Sequence, residues 1–150
     1  MVDCDMAELP FRIPVGAWTA LKETVTRDKT VAHYHDDMPE VYGTPMMIYL
    51  MELAAAKAIA PYLPPGWVSV GAGVDVRHLA ATPVGFSVTA RAEVVEWNGR
   101  TVTFTVEARD GAELIGEGRH VRAPVDRTRF DRGVAAKALK GPKRDEAQEQ

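Results

Sequence analysis

The sequence predicts an α+β domain in which a five-stranded antiparallel sheet wraps around one long central helix. An apolar stretch rich in Ala and Met lies at 44–63, and the segment after it follows the two-residue period of strands. A single apolar helix needs cover on all sides, which in this chain only a curled sheet can supply. At 150 residues, the chain has the length of one compact domain.

The helix is predicted over Thr44–Leu63. Thr44 suits the N-cap because its hydroxyl can accept a hydrogen bond from a free amide, and Pro45 suits the first helical position. Pro61 cannot continue the helix. The apolar run of roughly 16 residues is shorter than the ~20 that span a bilayer. We therefore expect this helix to be buried in protein.

One strand is expected before the helix and four after it, at 18–25, 69–79, 86–94, 102–108 and 114–125. Asn98 and Gly99 indicate a hairpin between the third and fourth strands. A two-residue loop would place the two apolar faces on opposite sides of the sheet. We therefore predict a three-residue loop or a β-bulge at this hairpin.

We divide the chain into a domain at 1–126 and a charged, solvent-exposed and partly disordered tail at 127–150. The 18 Lys and Arg and 21 Asp and Glu leave a net charge of −3, which is not the basic surface that nucleic acid attracts. Cys4, the single cysteine, cannot form an internal disulfide, and no signal-peptide pattern is present. We expect a cytoplasmic protein that binds neither nucleic acid nor membranes.

Glu52 is the most unusual residue of the predicted helix. Its face is apolar and includes Ile48, Ala55 and Ile59, whereas Lys57 lies on another side. An unpaired buried carboxylate costs several kcal/mol, and such surroundings are typical of a general base. The structural alternative is a carboxylate that reaches the helix rim or pairs with an arginine of the sheet.

His78 and Thr44 are further candidates. His78 follows Val74 and Val76 at the two-residue period, which directs its ring to the core side and so toward the helix. Taken alone, a core histidine or an N-cap threonine explains each residue. Thr44 and Glu52 are separated by ~12 Å along the helix, so a site containing both requires two subunits.

The sequence gives little support to other chemistries. His33 and His35 alternate on an expected strand before Asp36 and Asp37, but their spacing is not specific for a metal, and we expect a solvated loop without one. The motifs GxSxG, GxxxxGK[ST], GxGxxG and HExxH are absent. This argues against serine-elbow hydrolases, P-loop nucleotidases, dinucleotide enzymes and zincins.

The sequence contains three segments, VYGTPMMIYLMELAAAKAIAPYLPPG, VGAGVDVRHLAATPVG and LIGEGRHVRAPV, that together resemble the fluoroacetyl-CoA thioesterase branch of the hotdog-fold acyl-CoA thioesterases. The match covers most of residues 15–126. This resemblance implies a hotdog fold, a homodimer and hydrolysis of small acyl-CoA thioesters. It implies no cofactor, because coenzyme A is part of the substrate.

The resemblance also implies site residues. The catalytic set it predicts is Thr44, Glu52 and His78, and the residues it places around the substrate are Gly71 and Arg122. Met38 stands where the fluoroacetyl-selective enzyme has a lid phenylalanine. A flexible thioether does not form the same flat wall, so the resemblance implies thioester hydrolysis and leaves the acyl-group selectivity open.

In such a reaction Glu52 would either activate water or attack the thioester carbonyl, and His78 would be its acid/base partner. Thr44 would orient the nucleophile or the substrate. Two other functions stay open: hydration of enoyl thioesters on the same fold, and a non-catalytic acyl-CoA-binding module with a buried polar pair. We expect a homodimer, which could pair further into a tetramer.

Overall fold

The computed structural model describes residues 7–143, so Cys4 and residues 144–150 of the predicted tail lie outside the described part. Its helices and strands are β1 (Trp18–Thr24), α1 (Thr44–Ile59), β2 (Trp67–His78), β3 (Ser87–Trp97), β4 (Val102–Arg109), β5 (Leu114–Asp126) and α2 (Arg127–Lys140). The five strands form one sheet in the order β1-β3-β4-β5-β2, and all neighbours are antiparallel. The predicted strand–helix–four-strand order is confirmed.

Helix α1 lies in the curl of this sheet and packs against all five strands. One side of the helix is fully buried, and so are the inward-facing residues of the central strands. The buried side chains of α1 are Met47, Leu50, Met51, Ala54, Ala55, Ala58 and Ile59. The main inward-facing residues of β3 and β4 are Val88, Ala90, Ala92, Val94, Val102, Phe104, Val106 and Ala108.

The start of α1 differs from the prediction by one residue. Gly43 is the N-cap, Thr44 is the first helical residue and Pro45 the second. The N-cap makes no side-chain hydrogen bond, so the expected capping role of Thr44 is wrong. The Thr44 hydroxyl bonds to His78 instead.

The end of α1 also comes earlier than predicted. The helix ends at Ile59, and a 3-10 turn at Ala60–Tyr62 replaces the expected last turn. Pro61 has no N–H to donate to the carbonyl of Lys57, which removes the α-helical bond at this point.

A β-bulge lies in β3, near the loop that connects this strand to β4. A bulge was one of the two alternatives predicted for this hairpin. Val94 is opposite Phe104, but Glu96 is opposite Thr103, so one extra residue lies on β3. The bulge brings the apolar residues of both strands onto the inner face. The loop itself has four residues, 98–101, closed by two backbone N–H groups that donate to the Asn98 side chain.

Residues 127–140 correct the expectation of a partly disordered tail, because they form helix α2. Asp126 accepts a hydrogen bond from the N–H of Arg129 and so caps this helix, which ends at Lys140 and is followed by Gly141. None of its residues is buried, which confirms the predicted exposure. Within residues 7–143, no helix is long and apolar enough to cross a membrane.

Gly118 allows β5 and β2 to approach closely. A Cβ atom at this position would overlap the carbonyl oxygen of Asp75 and lie 2.6 Å from the Cα of Val76. Both atoms belong to the backbone of β2, so they cannot move without disturbing the strand pairing.

We predict that Gly118→Ala lowers the free energy of unfolding by about 2–3 kcal/mol, because the new methyl group overpacks a strand–strand contact. Urea denaturation measures this change. The matched control is Gly133→Ala in α2, where no atom lies within 4 Å of the new Cβ. A Gly118→Ala protein as stable as the native one would disprove the close-approach argument.

Candidate active site

Thr44 and His78 meet at the start of α1. The Thr44 Oγ1 lies 2.7 Å from His78 Nδ1. The segment entering α1 is tied to the loop that follows β2, because the N–H of Tyr42 donates to the carbonyl of Thr82 at 2.8 Å. This connection places the first turn of the helix beside the end of β2.

The other ring nitrogen of His78 has no hydrogen-bond partner in the described part of the chain. Among the described residues, Nε2 of His78 is the one buried side-chain nitrogen or oxygen without a hydrogen bond. Burial lowers the pKa of His78, and the backbone of Ala80 opposes this with a smaller upward effect. The imidazole is therefore neutral at pH 7 and oriented through Nδ1, and its buried Nε2 has no hydrogen bond to the described residues.

Glu52 lies two turns further along α1, against β2. Its side chain is 32% exposed, so the carboxylate predicted to be buried is only partly buried. A Cβ atom on Gly71 would lie 2.8 Å from Oε1 of Glu52. The missing side chain of Gly71 thus leaves the space that this carboxylate occupies.

A buried pair, His120 and Arg122, lies beside Glu52. Nδ1 of His120 donates to the carbonyl of Gly73 at 2.7 Å, because a carbonyl can only accept. Nε2 of the same ring lies 3.2 Å from Nη1 of Arg122 and 4.0 Å from Oε1 of Glu52. Arg122 also donates from Nε to the hydroxyl of Ser69 and from Nη2 to its carbonyl, both at 2.8 Å.

The charge states of this pair follow from burial. Burial lowers the pKa of His120; the Gly73 carbonyl and Glu52 raise it by less, while the Arg122 charge lowers it further. The ring is therefore neutral at pH 7, and its Nε2 accepts a hydrogen bond from Arg122. Burial also lowers the pKa of the Arg122 guanidinium, and Glu52 partly offsets this, but an arginine stays charged.

The predicted site residues thus form two groups. Thr44 and His78 are in contact, and Glu52, Gly71 and Arg122 form the second group with His120. Within residues 7–143, no hydrogen bond or ion pair joins the two groups, in agreement with the ~12 Å separation along α1.

The remaining candidates lie on the segment before α1. Met38 is 44% exposed there, and its N–H donates to the carbonyl of His35. His33 belongs to a 3-10 turn, so the strand expected for the two histidines is wrong. Over residues 7–143, no three His, Cys, Asp or Glu side chains form a group that could hold a metal ion.

The sequence analysis missed His120 and Ser69. His120 lies two residues before Arg122 in a predicted strand, so both had to face the same side of the sheet. That period was the available signal for His120. Ser69 gave none, because its role depends on the pairing between β2 and β5 and on a bulge near Gly71.

Comparison with known proteins identifies the family of this chain. Residues 25–128 match the family model described as fluoroacetyl-CoA-specific thioesterase. The fluoroacetyl-CoA thioesterase of Streptantibioticus cattleyicolor is 41% identical over 119 residues, which are 75% of this chain and 86% of that protein.

Solved structures of fluoroacetyl-CoA thioesterase are also similar. One has a TM-score of 0.79 at 39% identity and covers 84% of this chain and 98% of its own. A variant in complex with fluoroacetate and CoA has a TM-score of 0.73 at 40% identity, covering 79% and 99%. The chain has the hotdog fold and belongs to the fluoroacetyl-CoA-specific thioesterase family of thioester hydrolases.

Proposed function

We propose that this protein hydrolyses short acyl-CoA thioesters at a site shared by two subunits. The Thr44–His78 pair of one subunit and Glu52 of the other are its catalytic groups. The observation that carries the proposal is the state of His78, whose ring is neutral, anchored through Nδ1 and unpartnered at Nε2. An imidazole oriented in this way is suited to transfer a proton.

Hydrolysis adds the oxygen of water to the carbonyl carbon, breaks the carbon–sulfur bond and protonates the departing thiolate. The Glu52 carboxylate activates the water or attacks the carbonyl carbon itself. His78 passes a proton between the attacking water and the thiolate through Nε2. The start of α1 lies beside this ring, so its backbone dipoles favour the negative charge that develops on the carbonyl oxygen.

Two features of the chain favour a homodimer through strand β2. This 12-residue strand pairs only with β5 among the described strands, so its other edge is open to a second copy. Exposed apolar side chains lie on β2 and on the part of α1 next to Glu52: Val74 at 45%, Tyr49 at 59% and Leu53 at 39%.

The charges of β2 favour one pairing register. Asp75 and Arg77 lie on the outer face, two residues apart and both exposed. A two-fold axis at Val76 would place each Asp75 opposite the partner's Arg77, a pair worth about 0.2–1 kcal/mol.

This register would also complete the site. It places the partner's His78 opposite Val74, and Val74 is itself paired with His120 on β5. His120 lies 4.0 Å from Glu52. This register therefore brings the partner's His78 to the side of the sheet on which the Glu52 carboxylate lies. The dimer thereby supplies what one chain lacks.

We predict that wild-type protein releases thiol from short acyl-CoA substrates and that Glu52→Gln lowers kcat at least about 100-fold, because the amide cannot act as base or nucleophile. Acetyl-, fluoroacetyl-, butyryl- and phenylacetyl-CoA form the test panel. Glu113→Gln, in the turn before β5, is the control for a carboxylate lost elsewhere. A Glu52→Gln enzyme with the wild-type rate would refute the catalytic role.

We expect Gly71→Ala to lower kcat by roughly 10- to 100-fold with little loss of stability. The new methyl group would displace the end of the flexible Glu52 side chain rather than any backbone, and a shift of about 1 Å can cost this much. Steady-state kinetics and urea denaturation together measure the two effects. Unchanged kcat would show that the carboxylate position is not critical.

We predict that Asp75→Lys weakens the dimer, because it places like charges opposite each other at two symmetric positions of the strand edge. Sedimentation velocity measures the mass, and activity should fall with the dimer fraction. Glu107→Lys is the matched control, since Glu107 lies on the same outer face but on β4, away from the edge. An active monomer would contradict the shared site.

A further inference from the structure

His120 is a buried polar residue to which the proposed hydrolysis assigns no step. It is 2% exposed, and its ring stacks on Phe104 with 6.0 Å between ring centroids. The Gly73 carbonyl fixes the hydrogen on Nδ1, so Nε2 of the neutral ring carries a lone pair. This lone pair faces a guanidinium on one side and a carboxylate on the other.

Arg122 is held away from Glu52. Each of its three side-chain nitrogens has a protein partner: Nε and Nη2 bond to Ser69, and Nη1 bonds to His120. No ion pair within 4.0 Å joins Arg122 to Glu52 in the described chain, although the two charges act on each other. The imidazole is the group that touches Arg122 and approaches Glu52.

We propose that His120 is a positioning residue that keeps the Arg122 guanidinium from binding the Glu52 carboxylate directly. The carboxylate then has the nearby positive charge but keeps its oxygen lone pairs available to substrate and water. A bidentate Arg–carboxylate pair would occupy these lone pairs. The inference rests on the proposed function of Glu52 and adds how that carboxylate is kept reactive.

Among the groups around Glu52, Arg122 is the one whose positive charge can pair with the carboxylate. Among the described residues of its own chain, the titratable or charged groups that face it are His120 and Arg122 from β5, and the proposed dimer adds the partner's His78. β2 contributes Ser69, Gly71 and Gly73, which carry no charge. On α1 itself, Lys57 is five residues away and lies on another side of the helix.

Two substitutions separate the contacts of His120. In His120→Asn the amide can still donate to the Gly73 carbonyl but cannot reach Arg122. In His120→Gln the side-chain oxygen can accept from Arg122 in place of Nε2, while the bond to Gly73 is lost. If His120 had only a structural role, the activity of each variant would follow its stability, which urea denaturation measures.

We expect His120→Asn to lower kcat about tenfold or more and to move the acid limb of the kcat/KM profile about one pH unit lower, because Arg122 now binds the carboxylate. His120→Gln should leave the acid limb in place. Equal behaviour of the two variants, or a fall in kcat without movement of the limb in His120→Asn, would overturn the proposal.

A second measurement needs no turnover. The pH midpoint of the Glu52 carboxyl ¹³C resonance, assigned with Glu52→Gln, should shift downward in His120→Asn and stay in place in His120→Gln. If the acyl-CoA panel showed no thiol release, the proposed hydrolysis would fail while this titration still decided the role of His120. An unshifted midpoint in His120→Asn would overturn that role.

Discussion

Close contact between helix α1 and the curled sheet is the constraint on which the rest of the structure depends. At Gly116 a side chain would overlap the sulfur of Met47, and at Gly118 it would overlap the backbone of β2. The two glycines alternate along β5 with His120 and so lie on the same face. The strand that holds the polar pair is thus also the strand that lets the sheet close on the helix.

In this packed interior, polar groups are stable only where their donors and acceptors all have hydrogen-bond partners. Burying an arginine and a histidine is costly unless their donors and acceptors are satisfied. Arg122 and His120 meet that condition through Ser69 and the Gly73 carbonyl, both supplied by β2 around its bulge. The bulge that interrupts β2 is therefore part of the support for the candidate site.

Much of the fold could be predicted because its signals are local. Apolar composition indicated the helix, the two-residue period indicated strands after it, and the mismatch of two apolar faces indicated the bulge between β3 and β4. Helix α2 was missed because a charged, exposed sequence resembles a disordered one. Its cap at Asp126 and its C-terminal Gly141 were the local signals for a helix.

The candidate site was less accessible to sequence reasoning. Glu52 is conspicuous within an apolar helix, and His78 follows from strand periodicity, but the partners of each depend on strand pairing. The Thr44 hydroxyl was assigned to helix capping, whereas the loop after β2 brings His78 to it. The three hydrogen bonds that Arg122 and His120 make from β5 to β2 could not be predicted from spacing along either strand.

The candidate site residues differ in how firmly the fold holds them in place. Glu52, His78 and Arg122 lie on regular helix and strand positions that the packing fixes, whereas Met38 lies on an exposed segment before α1. A side chain on such a segment can change without disturbing the core. A change at Met38 therefore alters the exposed surface of this segment and leaves the positions of Glu52, His78 and Arg122 intact.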